Sequence, residues 1–142
     1  MKKEGAINQL RQNGLKATTA RIAVLQFFDK QKIPVSIEKI LKNISNIDKV
    51  TIYRMVEDFT RVGLISRHDI GHNHQDYELT SKGHHHHLIC SICGLIEDIE
   101  VKHEHNLLKK VLAKSKNFIE IDKHQISFYG ICKKCIGGKA SS

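Results

Sequence analysis

The sequence predicts an α+β chain on three observations. Residues up to about 63 carry short amphipathic segments with helical spacing. An alternating, turn-centred segment follows to about residue 80 and reads as a hairpin. Beyond Ser81-Lys82-Gly83 the composition shifts toward histidine and cysteine. Helices followed by a two-stranded hairpin are the winged helix-turn-helix pattern. The expected organisation is such a domain over 1–82, a small α+β domain over 83–136 and a flexible polar tail over 137–142.

Each element has a local reason. Residues 4–13 form a first helix, stopped by Asn13-Gly14. Thr18 or Thr19 caps a second, on which Ile22, Leu25 and Phe28 recur at helical spacing, widened by Val24 and Phe27. Pro34 breaks the chain, and Ser36 caps a third helix carrying Ile37, Ile40, Leu41 and Ile44. Asn46 or Asp48 opens a fourth, about 50–62, with Ile52, Met55, Val56 and Phe59 apolar. Its other face shows Thr51, Arg54, Asp58 and Arg61, and Gly63 ends it. Leu64–His68 and His74–Thr80 are the hairpin strands around Gly71. In the second domain, strands are expected over His84–Cys90, Leu95–Val101 and about Phe118–Ile131, with a helix over about 103–115.

Charge and composition narrow the function. The 142 residues hold 23 Lys and Arg against 15 Asp and Glu, a net charge of +8. Residues 1–54 carry eleven of those cations and four of the anions, so the excess lies on the helical third. It ends at Arg54, in the helix that would enter a major groove, which points to double-stranded DNA as the partner. The longest apolar run is Ile22-Ala23-Val24-Leu25, far short of the roughly 20 residues that cross a bilayer. With no secretory signal, the expected location is cytoplasmic, away from membranes, where thiols stay reduced.

The four cysteines then read as metal ligands. Cys90-x-x-Cys93 and Cys132-x-x-Cys135 are two knuckles that complete a tetrahedron of sulfurs, the arrangement of structural Zn²⁺. Histidine is the second signal: seven of ten lie between His68 and His87. On a strand, His84 and His86 face one way and His85 and His87 the other, so each pair can serve a separate site. His72, His74, Asp76 and Glu78 share one parity on the hairpin, a ligand-bearing face if the strand starts that early. His103, His105 and His124 offer further donors. An enzyme is not expected. His103-Glu104 beside a Cys pair suggests a zinc deaminase, but neither pair follows proline, and four cysteines leave no open position for water. No small-molecule substrate is implied.

The chain resembles the ferric uptake regulator family. The matching residues are Gly14-Leu15-Lys16 with Arg21, Thr51-Ile52-Tyr53-Arg54, Tyr77-Glu78-Leu79, His84 through Gly94, and His124 through Cys132. The resemblance implies a metal-dependent DNA-binding transcriptional repressor of metal-homeostasis genes, a homodimer whose second domain is the dimerisation domain. It implies operator contacts from Lys16, Arg21, Thr51, Tyr53 and Arg54, and structural zinc on Cys90, Cys93, Cys132 and Cys135. It implies an interdomain regulatory site, for Zn²⁺, Fe²⁺ or Mn²⁺, that includes Glu78, His85 and His87, and a further site of His84, His86, His105 and His124. The other reading is a zinc-binding interaction or metal-buffering module without sequence-specific DNA binding.

Two departures from the family pattern matter. Many members carry a histidine where this chain has Pro34, which cannot ligate. The regulatory site then needs a hairpin donor, His72 or His74 first and His68 behind them. The third residue of the histidine run, aspartate in many iron-type members, is His86 here, a more nitrogen-rich set that suits zinc.

Overall fold

The computed structural model describes every residue except 72, 83, 84, 101–103, 123, 125 and 138–142, and the side chains of Lys82, Glu104 and His105 also lie outside the description. It divides into two compact units, Met1–Gly83 and His84–Ser142.

The first unit runs α1 (Lys3–Gln12), α2 (Thr19–Lys30), β1 (Val35–Ser36), α3 (Ile37–Asn43), α4 (Lys49–Arg61), β2 (Ile65–His68) and β3 (Asp76–Leu79). Three helices start on a side-chain cap: Thr18 accepts from the Arg21 amide, Ser36 from Lys39 and Asp48 from Thr51. Each satisfies a backbone donor that the first turn leaves without an intrahelical partner. Behind α4, Gly63 takes φ 76°, the left-handed turn that ends a helix at little cost only for glycine. Ile22, Leu25 and Phe28 of α2, Ile40 of α3, and Ile52, Val56 and Phe59 of α4 are buried in one core with Leu10, Leu64, Ile65 and Leu79. The antiparallel sheet has the order β1-β3-β2. Its two-residue β1, directly after Pro34, was not expected. It forms because Val35 and Ser36 pair with Tyr77 and Asp76, a partnership no local pattern announces.

The second strand of the hairpin begins at Asp76, not at His74. Its partner explains this: β2 ends at His68, and His68 pairs with Asp76.

The second unit runs β4 (His86–Cys90), β5 (Ile96–Ile99), α5 (Glu104–Ala113), β6 (Ser127–Gly130) and the short α6 (Lys133–Ile136). The sheet order is β5-β4-β6, antiparallel between β4 and β5 and parallel between β4 and β6. The long third strand expected from about 118 contracts to Ser127–Gly130. The reason is again the partner: His87 pairs with Ser127 and Cys90 with Gly130, and β4 is only five residues long. Phe118 and Ile119, upstream of that pairing, are exposed.

Among the described residues, no helix is long and apolar enough to cross a membrane.

Candidate metal centres and nucleic-acid interface

Cys90 ends β4, and the chain turns at once: the Gly94 amide donates to the Cys90 carbonyl at 2.9 Å, with Gly94 at φ 74°. Such a turn folds Cys93 back toward Cys90 and needs a residue without a Cβ. The second knuckle lies where α6 begins: Cys132 is its N-cap and its amide points at the Cys90 sulfur, 3.4 Å away. The ligand atoms of Cys90, Cys93, Cys132 and Cys135 all lie within 4.8 Å of one another. Cys93 Sγ and Cys132 Sγ are 3.7 Å apart. A zinc–sulfur bond of about 2.3 Å puts two thiolates of a tetrahedron about 3.8 Å apart, so this set fits zinc without rearrangement. The four are free thiols rather than disulfides. Backbone amides, that of Cys93 foremost, pull the Cys90 thiol down to about 6, while burial pushes the Cys135 thiol up to about 12. Four thiolates cannot share this space without a cation to offset their repulsion.

The histidine run separates by strand parity. The rings of His85 and His87 stand 5.0 Å apart. The ring of His86 instead lies 6.1 Å from His124 and 5.9 Å from Phe128. The structure thus brings His86 and His124 together, whereas His84 and the side chain of His105 lie outside the described residues, as does His103.

One residue was missed. Antiparallel pairing sets Asp98 opposite His87, and His87 Nδ1 meets Asp98 Oδ1 at 3.0 Å. His85, His87 and Asp98 present donor atoms within 4.8 Å of one another, a group that fits a divalent cation. Burial pushes the His87 pKa below its ordinary value, and the Asp98 bond acts the other way. The neutral ring donates Nδ1–H to Asp98 and carries its lone pair on Nε2, the tautomer that a metal-binding histidine uses. Strand parity in Ile96-Glu97-Asp98-Ile99 was the available signal; which acid faces His87 depended on the register.

On the hairpin, Glu78 and Asp76 are buried, 3% and 5% exposed, on one face of β3. Opposite them on β2 stand Ser66 and His68. Ser66 Oγ and His68 Nε2 are 2.9 Å apart, and a ring nitrogen of His68 lies within 4.8 Å of a Glu78 carboxylate oxygen. His74 precedes the strand; its Nε2 is 3.7 Å from Asp76 Oδ1, and it joins no three-residue donor group among the described residues. His72 lies outside the described residues.

The expected DNA surface divides. Lys16, Tyr53 and Arg54 are exposed. The Lys49 ammonium sits 5.8 Å from the Tyr53 ring centroid, one helical turn away. Thr51 is half-buried and bonded through its hydroxyl to Asp48, so it completes the α4 cap. Arg21, also expected to touch DNA, is bonded within the protein. Its guanidinium donates to Asp58 at 2.7 Å and to the Lys16 carbonyl at 3.3 Å, which ties α2 to α4.

A family model described as the ferric uptake regulator family matches residues 12–129. The ferric uptake regulation protein of Legionella pneumophila is 34% identical over 132 residues, covering 89% of this chain and 96% of the relative. That of Neisseria gonorrhoeae is 31% identical over 140 residues, covering 95% and 96%. Among solved structures, the Pseudomonas aeruginosa ferric uptake regulator with manganese gives a TM-score of 0.76 at 26% identity, covering 91% of this chain and 98% of that one. The Vibrio cholerae regulator, described by the rearrangement of its DNA-binding domains, gives 0.70 at 27%, covering 89% and 98%.

Proposed function

The chain belongs to the ferric uptake regulator family, and we propose that it is a metal-dependent, DNA-binding transcriptional repressor of metal-homeostasis genes, acting as a homodimer and responding to ferrous iron or zinc. The observation that carries the metal response is the His85–His87 pair, two adjacent rings of which the second has its tautomer held by the Asp98 carboxylate. In this reading Glu78, His85 and His87 hold the sensed cation with Asp98 holding the His87 ring from behind, His84, His86, His105 and His124 hold another, and the four cysteines hold structural zinc. Ferric uptake and bound manganese are properties of the relatives. Two imidazoles with a carboxylate accommodate ferrous, manganous or zinc ions, so affinity order alone leaves the choice to cellular availability.

The remaining parts follow from the surface. Lys16, Tyr53 and Arg54 would meet the operator, with Arg54 at base edges in the major groove and Lys16 on phosphate. Phe128, Tyr129 and Ile131 are exposed on and beside β6, an edge strand among the described residues. Such an apolar edge supports a second copy as its cover. A bound cation supplies a cross-link whose free energy favours the arrangement in which two α4 helices enter successive major grooves. DNA then raises the affinity of these ligands for the cation by the same factor by which the cation raises DNA affinity.

The test is selection of DNA from random duplexes by the zinc-loaded dimer, followed by anisotropy titrations at fixed salt with iron(II), zinc or manganese added and chelated. Sequence-specific binding that rises with one metal is expected. Equal binding with and without metal, or no sequence preference, would overturn the proposal and favour a metal-buffering module.

A further inference from the structure

We propose that Val50 is a specificity-determining residue of the DNA-binding surface, reading the C5-methyl group of one thymine in each half of the operator. The inference rests on the DNA-binding reading above and adds a base contact which that reading does not contain.

Helical spacing gives α4 two faces. Ile52, Met55, Val56 and Phe59 are buried in the core. Val50, Arg54, Glu57 and Arg61 recur at intervals of four, three and four residues, so they line the opposite face, and all four are exposed. Several polar neighbours are already occupied. Asp48 accepts from the Thr51 amide and hydroxyl as the helix cap. Arg61 donates to Asp58 at 2.7 Å. The Lys49 ammonium stands 5.8 Å from the Tyr53 ring centroid, on the flank of the exposed face. Glu57 places an acid, which phosphate repels, halfway along that face. DNA therefore meets the face at its N-terminal end, where Val50 and Arg54 stand. That end is also where recognition helices of this architecture touch base edges.

Val50 is 59% exposed and lies outside the buried core. Its branched side chain forms a helix less readily than alanine would, so it serves the fold neither by packing nor by propensity. Valine carries no side-chain donor or acceptor, and the apolar group that a base pair presents in the major groove is the thymine methyl. The side chain suits that contact, because a helix holds its χ1 to one rotamer and little freedom is lost on binding. Charge favours DNA at this end of the helix: Lys49 precedes Val50 and Arg54 stands one turn on, both exposed. Four residues of helix rise about 6 Å and successive bases lie about 3.4 Å apart, so the thymine read by Val50 falls within about two base pairs of the base read by Arg54. A methyl group removed from water is worth about a factor of four in affinity.

The experiment uses the full chain, loaded with zinc and with the metal that supports operator binding, and the duplex selected from random sequences. Each thymine is replaced in turn, symmetrically in both half-sites, by deoxyuridine, which lacks the methyl and keeps every hydrogen-bonding group. Anisotropy titrations at fixed salt compare wild type, Val50→Ser, Val50→Ile and Tyr53→Ala; metal content and urea unfolding confirm that each variant is loaded and folded. For wild type, one replacement within about two base pairs of the position relaxed by Arg54→Ala is expected to weaken binding about fourfold per half-site, about fifteenfold in all. Val50→Ile keeps that sensitivity. Val50→Ser binds the thymine operator about as weakly as wild type binds the deoxyuridine one, and loses less than about twofold on the replacement. Sensitivity that persists in Val50→Ser would overturn the proposal, and its disappearance in Tyr53→Ala would then assign the methyl to Tyr53. Wild-type binding indifferent to every replacement would overturn it too. Both results leave the repressor reading standing; that reading falls, and Val50 with it, if wild type shows no metal-dependent sequence preference when the duplex is selected.

Discussion

Arg21 and Asp58 offer the sharpest separation of a structural brace from a DNA contact. The Arg21 guanidinium donates to Asp58 at 2.7 Å with side-chain exposures of 21% and 29%, while Arg61, 68% exposed, donates to the other oxygen at 2.7 Å. At an effective dielectric of about 20, opposite charges about 4 Å apart attract by about 4 kcal/mol. Partial desolvation and the ordering of a long side chain return most of that. About 1–2 kcal/mol is left for Arg21–Asp58 and about 0.3–0.5 kcal/mol for the exposed pair with Arg61. Arg21→Ala and Asp58→Ala should each destabilise the first unit by about 1–2 kcal/mol, with a coupling of about 1 kcal/mol in a double-mutant cycle from urea unfolding. The Arg61 hydrogen bond, and after it that from Arg21, holds the Asp58 carboxyl below its ordinary value of 3.8 against the opposing effect of burial. A folded pKa below the unfolded one means that the stabilisation is complete above about pH 4 and is lost as pH falls through the folded value. The coupling in metal-free protein should therefore be present at neutral pH and fade in acid. DNA binding supplies the contrast. As a brace, Arg21→Ala and Asp58→Asn weaken operator binding alike and leave the salt slope unchanged. A coupling below about 0.3 kcal/mol, with an Arg21→Ala salt slope reduced by about one ion, would refute the brace and restore Arg21 to the DNA surface.

Further outcomes follow from other parts of the molecule. Cys93→Ser or Cys135→Ser should abolish zinc retention and unfold the second unit, because a structural zinc site supplies folding free energy of order 10 kcal/mol; metal analysis and sedimentation check this, and a stable zinc-free dimer would contradict it. Arg54→Ala should cost about 1–3 kcal/mol of operator affinity and relax specificity at one base pair, whereas Lys16→Ala should weaken all sequences evenly and flatten the salt dependence. Asp98→Asn should lower cobalt affinity at the histidine site by about 10–100-fold while zinc on the cysteines stays in place, as measured by metal titration. Phe59→Ala should destabilise the first unit by about 3–5 kcal/mol in urea unfolding, since that ring is fully buried at the centre of the core.

The parts legible in the sequence were those with a local cause. Thr18, Ser36 and Asp48 cap their helices with bonds spanning three residues, and α4 buries Ile52, Met55, Val56 and Phe59 at the spacing its own sequence dictates. The two Cys-x-x-Cys turns are likewise short-range, and only their meeting at one point required the fold. Strand parity separated His85 and His87 from His86 because alternation is a property of the backbone. What the tertiary structure decided were the pairings. β6 is short because β4 is short, and β1 exists because β3 lies beside it. Arg21 was joined to Asp58, 37 residues away. Asp98 was set on His87, and His68 rather than His74 near Glu78, by strand registers that no local pattern encodes. Ligand sets and ion pairs are made between segments distant in the chain, and the free energy that selects them comes from burial and hydrogen bonding across those segments, which only the folded chain brings together.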